Sequence, residues 1–160
     1  MNNLFEIKVC GINDNKSMNT ALKCKVNYIG LVFYPNSPRN ISIYQSRELL
    51  KSRNKTTKIV ALTVDPNDDF LNEIKKTINP DYIQLHGNEN SSRCLDIKQK
   101  INIPLIKGIN VRNKIDLVRK NKEFEDICDI LLFDAPSEAL PGGNGKKFDW
   151  NILKDFKSKK

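Results

Sequence analysis

The 160-residue sequence has one histidine, one tryptophan and four cysteines spread along its length. A single imidazole excludes metal centres built on several histidines. Cys10, Cys24, Cys94 and Cys128 form no C-x-x-C pair, so zinc knuckles and dithiol redox motifs are excluded as well, and reduced thiols are expected. Three of the cysteines sit in apolar patterns and read as core residues; Cys10 does not. No apolar run is long enough to span a membrane. The first residues, Met1-Asn2-Asn3-Leu4-Phe5-Glu6, lack a basic segment followed by an apolar one, so no secretion signal and a cytoplasmic location are expected. Lysine and arginine outnumber aspartate and glutamate by 27 to 19, giving a net charge of +8. That excess favours encounters with anions. Nucleic acid is one such anion and a phosphorylated metabolite another; the lysines are dispersed and lack the interleaved aromatics that stack on bases, which points away from nucleic acid.

What is present is a repeating alternation of short apolar runs and helical patterns. Strands are expected at 4–10, 28–33, 58–64, 81–85, 103–107 and 129–134. After the first, Asn13-Asp14 can cap a helix carrying Met18, Ala21 and Leu22 on one face. Asp65 before Pro66 is a second helix start, ahead of Phe70, Leu71, Ile74 and Ile78. Further helices are expected from Leu49 and Leu50, from Ser91-Ser92 with Cys94, Ile97 and Ile101 inward, and from Ile115 and Val118. A short last one has Asp149 as cap and Trp150, Leu153 and Phe156 on one face. Six βα repeats at intervals of about 25 residues imply a parallel sheet in one domain spanning 1–160. An open doubly wound sheet and a barrel both satisfy that pattern. A barrel places functional side chains at the C-terminal ends of its strands, and Cys10, Arg39, His86 and Asp134 come from four different strands at that position. The barrel is favoured.

The chain is organised around Leu131-Leu132-Phe133-Asp134, which leads through Ala135-Pro136 to Gly142-Gly143-Asn144-Gly145 and Phe148-Asp149-Trp150. An apolar strand ending on a carboxylate delivers an acid to the mouth of the fold. Glycines before a helix start leave backbone N–H groups open to an anion such as phosphate. The same residues also read as a strand-end cap and a flexible turn.

Lys8-Val9-Cys10-Gly11-Ile12, the Gly30-Leu31-Val32-Phe33 strand leading to Ser37-Pro38-Arg39, Gln84-Leu85-His86-Gly87, and Asp134 with the glycine cluster and Phe148-Asp149-Trp150 closely resemble the phosphoribosylanthranilate isomerases of tryptophan biosynthesis. The resemblance implies a TIM-type (βα)8 barrel, here an incomplete one of about six units. It also implies an Amadori rearrangement of N-(5-phosphoribosyl)anthranilate to 1-(2-carboxyphenylamino)-1-deoxyribulose 5-phosphate, without cofactor or metal. By the same resemblance Asp134 is the general acid at the ribose ring oxygen and Cys10 the general base at C2. Arg39 contacts the anthranilate side, His86 lines the pocket, and Gly142, Gly143 and Gly145 supply part of a phosphate site. An ordinary thiol, with a pKa of about 8.5, is mostly protonated at neutrality, so Cys10 would need cations nearby, such as Lys8 or Arg39.

One departure from the family pattern stands out. An eight-unit barrel typically needs at least about 200 residues, and its phosphate site is usually built by the loops after strands seven and eight. The expectation is therefore that two βα units are missing and that the first and sixth strands have open edges that invite self-association. A catalytically impaired fragment retaining the family's motifs is the alternative to an active isomerase. A non-catalytic anion or nucleic-acid binder is a more distant one.

Overall fold

The computed structural model describes residues 5–136 and 147–159. Six strands, β1 (Lys8–Cys10), β2 (Tyr28–Phe33), β3 (Lys58–Thr63), β4 (Tyr82–Leu85), β5 (Leu105–Asn110) and β6 (Ile130–Asp134), form one sheet in sequential order. Every pairing is parallel. The helices α1 (Asn15–Lys23), α2 (Ile43–Leu49), α3 (Asp68–Ile78), α4 (Ser91–Ile101) and α5 (Lys114–Phe124) alternate with the strands. This is a partial barrel of six units, as the strand pattern predicts.

Side-chain alternation sorts each strand between two buried faces. All six residues of β2 are buried. Ile29, Leu31 and Phe33 join Ile59, Ala61, Met18 and Ile74 under the helices, and Ile83, Leu85, Leu105 and Ile109 meet Cys94, Ile97, Leu117 and Phe124 in a second cluster. On the opposite, inner face Tyr28, Val60 and Ile106 pack with Tyr82, Ile130 and Leu132. Each fully buried aliphatic side chain contributes about 1.5–3 kcal/mol, so a near-continuous apolar strand is what a two-sided sheet requires.

Several boundaries differ from the sequence reading, each for a local reason. β1 begins only at Lys8, because its ladder with β2 runs from Lys8↔Tyr28 to Cys10↔Gly30; Phe5 and Ile7 before it are exposed. Asp65 does not cap α3. Asn67 does, accepting from the Phe70 N–H, while Asp65 takes a left-handed backbone (φ 46°) and its carboxylate accepts from the Asn88 N–H. β5 starts after Pro104 rather than at 103, since proline has no N–H to give the ladder. α5 turns Leu117, Asn121 and Phe124 inward and leaves Ile115 and Val118 exposed. Cys24 is exposed at the C-terminal cap of α1, so only Cys94 and Cys128 are the core thiols expected. The last helix is a single 3-10 turn, Trp150–Leu153, capped by Asp149 as expected. Leu153 and Phe156 pack against the second cluster, whereas Trp150 faces outward beside Phe148.

At the opposite end from the site, one clamp occurs three times. The residue before each even-numbered strand donates its N–H to a carbonyl within one residue of the start of the preceding strand, and its side chain accepts the N–H of that same residue. Asn27 does so with Ile7, Asp81 with Ile59 and Asp129 with Leu105. Asp81 is further paired with Arg53 at 2.6 Å and Asp129 with Lys98 at 3.2 Å. The device fixes strand register, on which the inward aim of every side chain depends. Asp129→Ala leaves the Leu105 N–H without its side-chain acceptor and should lower unfolding free energy by about 1–3 kcal/mol in urea titrations. An unchanged midpoint would show that the clamp carries no stability.

Candidate active site

The C-terminal ends of β1, β2, β3, β4 and β6 surround a cavity of about 170 Å³. Lys8, Cys10, Arg39, His86 and Asp134 supply its chemistry, and Val32, Leu62 and Leu132 its apolar walls. The four residues singled out from sequence therefore share one cavity. Gly142, Gly143 and Gly145 lie outside the described residues.

Each side chain is aimed by the strand that carries it. Cys10 is the last residue of β1; the chain turns at Gly11 (φ 86°), whose N–H donates to the Gly30 carbonyl at 2.8 Å. Arg39 arrives from the loop after β2 and its Nη1 donates to the Cys10 carbonyl at 3.4 Å, tying that loop to the thiol's backbone. His86 directly follows β4 and its N–H donates to the Thr63 carbonyl at 2.9 Å. Its ring lies over Gly108 of β5, where a Cβ would come within 2.1 Å of Nδ1. Any other residue at 108 would expel the imidazole. Asp134 ends β6, and its Oδ1 accepts from the Ala135 N–H at 2.8 Å.

The His86 side chain is 8% exposed, and burial holds its pKa below the usual imidazole value; the nearby Asp134 opposes this, and Lys107 and Lys8 reinforce it. The ring is thus neutral at neutral pH. Gln84 Nε2 stands 3.2 Å from Nδ1, within hydrogen-bond reach of the ring, and the other ring nitrogen is Nε2. That nitrogen faces Asp134 Oδ2 at 3.7 Å, beyond hydrogen-bond length but in electrostatic contact. Gln84 was not among the residues expected at the site. Strand alternation carries the signal, since Gln84 and His86 are two apart and share a face.

A second feature escaped the sequence reading entirely. Lys107 and Glu89 form a buried ion pair at 2.9 Å, with side chains 4% and 1% exposed. Lys107 Nζ also donates to the Gly87 carbonyl at 2.9 Å, while Glu89 Oε1 accepts from the N–H groups of Asp65 and Gly87. The pair grips the chain immediately beyond His86 and joins the loops after β3 and β4. A lysine inside an apolar strand was the available clue; its partner comes from a different unit and could not be read locally.

Comparison with known proteins follows the same outline. The family model for N-(5'-phosphoribosyl)anthranilate (PRA) isomerase matches residues 7–160. The N-(5'-phosphoribosyl)anthranilate isomerase of Rhizobium rhizogenes is 40% identical over 151 residues, covering 92% of this chain and 68% of the relative. That of a Bradyrhizobium strain is 38% identical over 154 residues, covering 94% and 70%. The crystal structure of phosphoribosyl anthranilate isomerase from Thermotoga maritima superposes with a TM-score of 0.82 at 25% identity, over 94% of this chain and 70% of that one. With the family model spanning nearly the whole chain and relatives near 40% identical, the chain belongs to the N-(5'-phosphoribosyl)anthranilate isomerase family.

Proposed function

We propose that the chain is a single domain that isomerises N-(5'-phosphoribosyl)anthranilate to 1-(2-carboxyphenylamino)-1-deoxyribulose 5-phosphate, in tryptophan biosynthesis and in the cytoplasm. The observation that carries this reading is the convergence of Cys10, Arg39, His86 and Asp134 on one cavity in a chain of this family. Among the described residues no helix is long and apolar enough to cross a membrane.

The reaction divides between an acid and a base. Asp134, protonated, gives its proton to the ribose ring oxygen; the C1–O bond breaks and the anthranilate nitrogen's lone pair forms a C1=N iminium. Cys10, as thiolate, then takes the proton from C2, the C–H pair becomes the C1=C2 bond, and the iminium pair returns to nitrogen. A neutral His86 beside Asp134 adds no positive charge against the cationic intermediate. The Arg39 guanidinium is suited to the anthranilate carboxylate, and the glycines at 142, 143 and 145 to part of the phosphate.

The test follows the loss of the substrate's anthranilate fluorescence. Arg39→Ala should raise KM by about tenfold or more and leave kcat within a fewfold, as expected when binding common to ground and transition states is removed. No turnover by the unaltered chain, even when extended as described in the Discussion, would refute the isomerase reading.

A further inference from the structure

We infer that Lys8 is a catalytic residue of this site: its ammonium stands beside the Cys10 sulfur and, in turnover, against the oxygen on the substrate carbon that Cys10 deprotonates. This rests on the isomerase reading above for the identity of that carbon, though the pairing of Lys8 with Cys10 does not.

Lys8 and Cys10 are two residues apart on β1 and therefore point to the same face. Both side chains fold over Gly30 of β2, which is the ladder partner of Cys10. A Cβ at position 30 would stand 2.9 Å from Cys10 Sγ and 3.1 Å from Lys8 Nζ. One missing methyl group leaves the space that thiol and ammonium both approach, so any side chain at 30 would displace them. The other charged or titratable groups of the cavity are Tyr34, Arg39, His86 and Asp134. Among the described residues Lys8 Nζ has no hydrogen-bond or ion-pair partner. The other lysine reaching the neighbourhood of His86, Lys107, is neutralised by Glu89. Lys8 is thus an uncommitted cation in a concave, partly apolar site, where an ammonium acts more strongly than in open water.

The chemistry has two uses for it. A thiolate is the form that accepts a proton, and an adjacent ammonium favours that form. When Sγ takes the C2 proton, the hydroxyl oxygen on C2 lies one bond from the reacting carbon and therefore near Nζ. The enaminol then becomes the ketone. Its O–H proton leaves to water, C2=O forms, the C1=C2 pair takes a proton at C1 from the Cys10 thiol, and Asp134 regains its proton from water. The atoms balance as an isomerisation. Negative charge gathers on the C2 oxygen as its proton departs, which is where a fixed ammonium lowers a barrier.

The test uses Lys8→Met, Lys8→Gln and Lys8→Arg, with thermal melts confirming folding. Alkylation of Cys10, located by mass spectrometry because Cys24 is also exposed, is timed with neutral iodoacetamide and anionic iodoacetate. Loss of the ammonium should slow iodoacetate by about tenfold more than iodoacetamide, and Lys8→Arg should preserve most of the difference. In turnover, Lys8→Met should lower kcat on the order of 10²-fold with KM within about threefold. An unchanged ratio of the two alkylation rates in Lys8→Met and Lys8→Gln, or unchanged kcat, would overturn the inference. A parent protein without isomerase activity, also when extended by two further βα units, but with the Lys8-dependent alkylation pattern would refute the isomerase reading and sustain the pairing.

Discussion

Cys10→Ala and Asp134→Asn each lower turnover on the order of 10²- to 10⁴-fold while the fold stays intact, the range expected when a positioned acid or base is removed. Neither side chain carries much of the core. Cys10 ends an edge strand and Asp134 is about a third exposed, so the alanine and the near-isosteric asparagine cost little packing. Asparagine can accept the Ala135 N–H as aspartate does but cannot give up a proton, so Asp134→Asn isolates the acid function from the shape of the loop. Stopped assays with far-UV circular dichroism on both variants provide the check. Full activity in both would remove the proposed acid and base together, while loss in Asp134→Asn alone would leave the thiol without a role.

Much of this arrangement was legible because its signals are local. An apolar run ended by a carboxylate, a thiol before glycine and a histidine before glycine each mark a strand's C-terminal end, and the parallel winding brings such ends together whatever lies between them. The boundaries were less legible where two local signals compete. Asp65 before Pro66 has the form of a helix cap, yet Asn67 holds that place because Asp65 is drawn away to Asn88 and Glu89 of the next unit. The partners of Lys107, the placement of His86 over Gly108 and the position of Gly30 beneath Lys8 and Cys10 depend on register between strands, whereas the shared face of Lys8 and Cys10 follows from their two-residue spacing. No window of sequence contains that register; the three clamps at Asn27, Asp81 and Asp129 help to set it, each through a contact of twenty or more residues' separation along the chain.

The remaining large effect concerns the open sides of the sheet. As a 160-residue polypeptide, the protein should associate or unfold more readily, and bind substrate more weakly, than a version carrying two further βα units from a longer relative. β1 and β6 each have a ladder neighbour on one side only among the described residues. Val9 of β1 and the neighbouring Phe5 and Ile7 are exposed, and every residue of β6 is only partly buried although the strand is apolar up to Asp134. Unpaired parallel edges with apolar flanks are templates for another strand. In barrels of this kind the loops after strands seven and eight hold the phosphate, and each charge-assisted hydrogen bond supplied there is worth about 1.5 to 3 kcal/mol, so several together amount to orders of magnitude in KM. The comparison needs both forms purified, their masses measured by light scattering and their kcat/KM values set side by side. The extended form should be the monomer and the faster enzyme. Equal kcat/KM from a stable monomer of the 160-residue chain would mean that six units bind the phosphate by themselves, and the role assigned to the open edges would have to be abandoned.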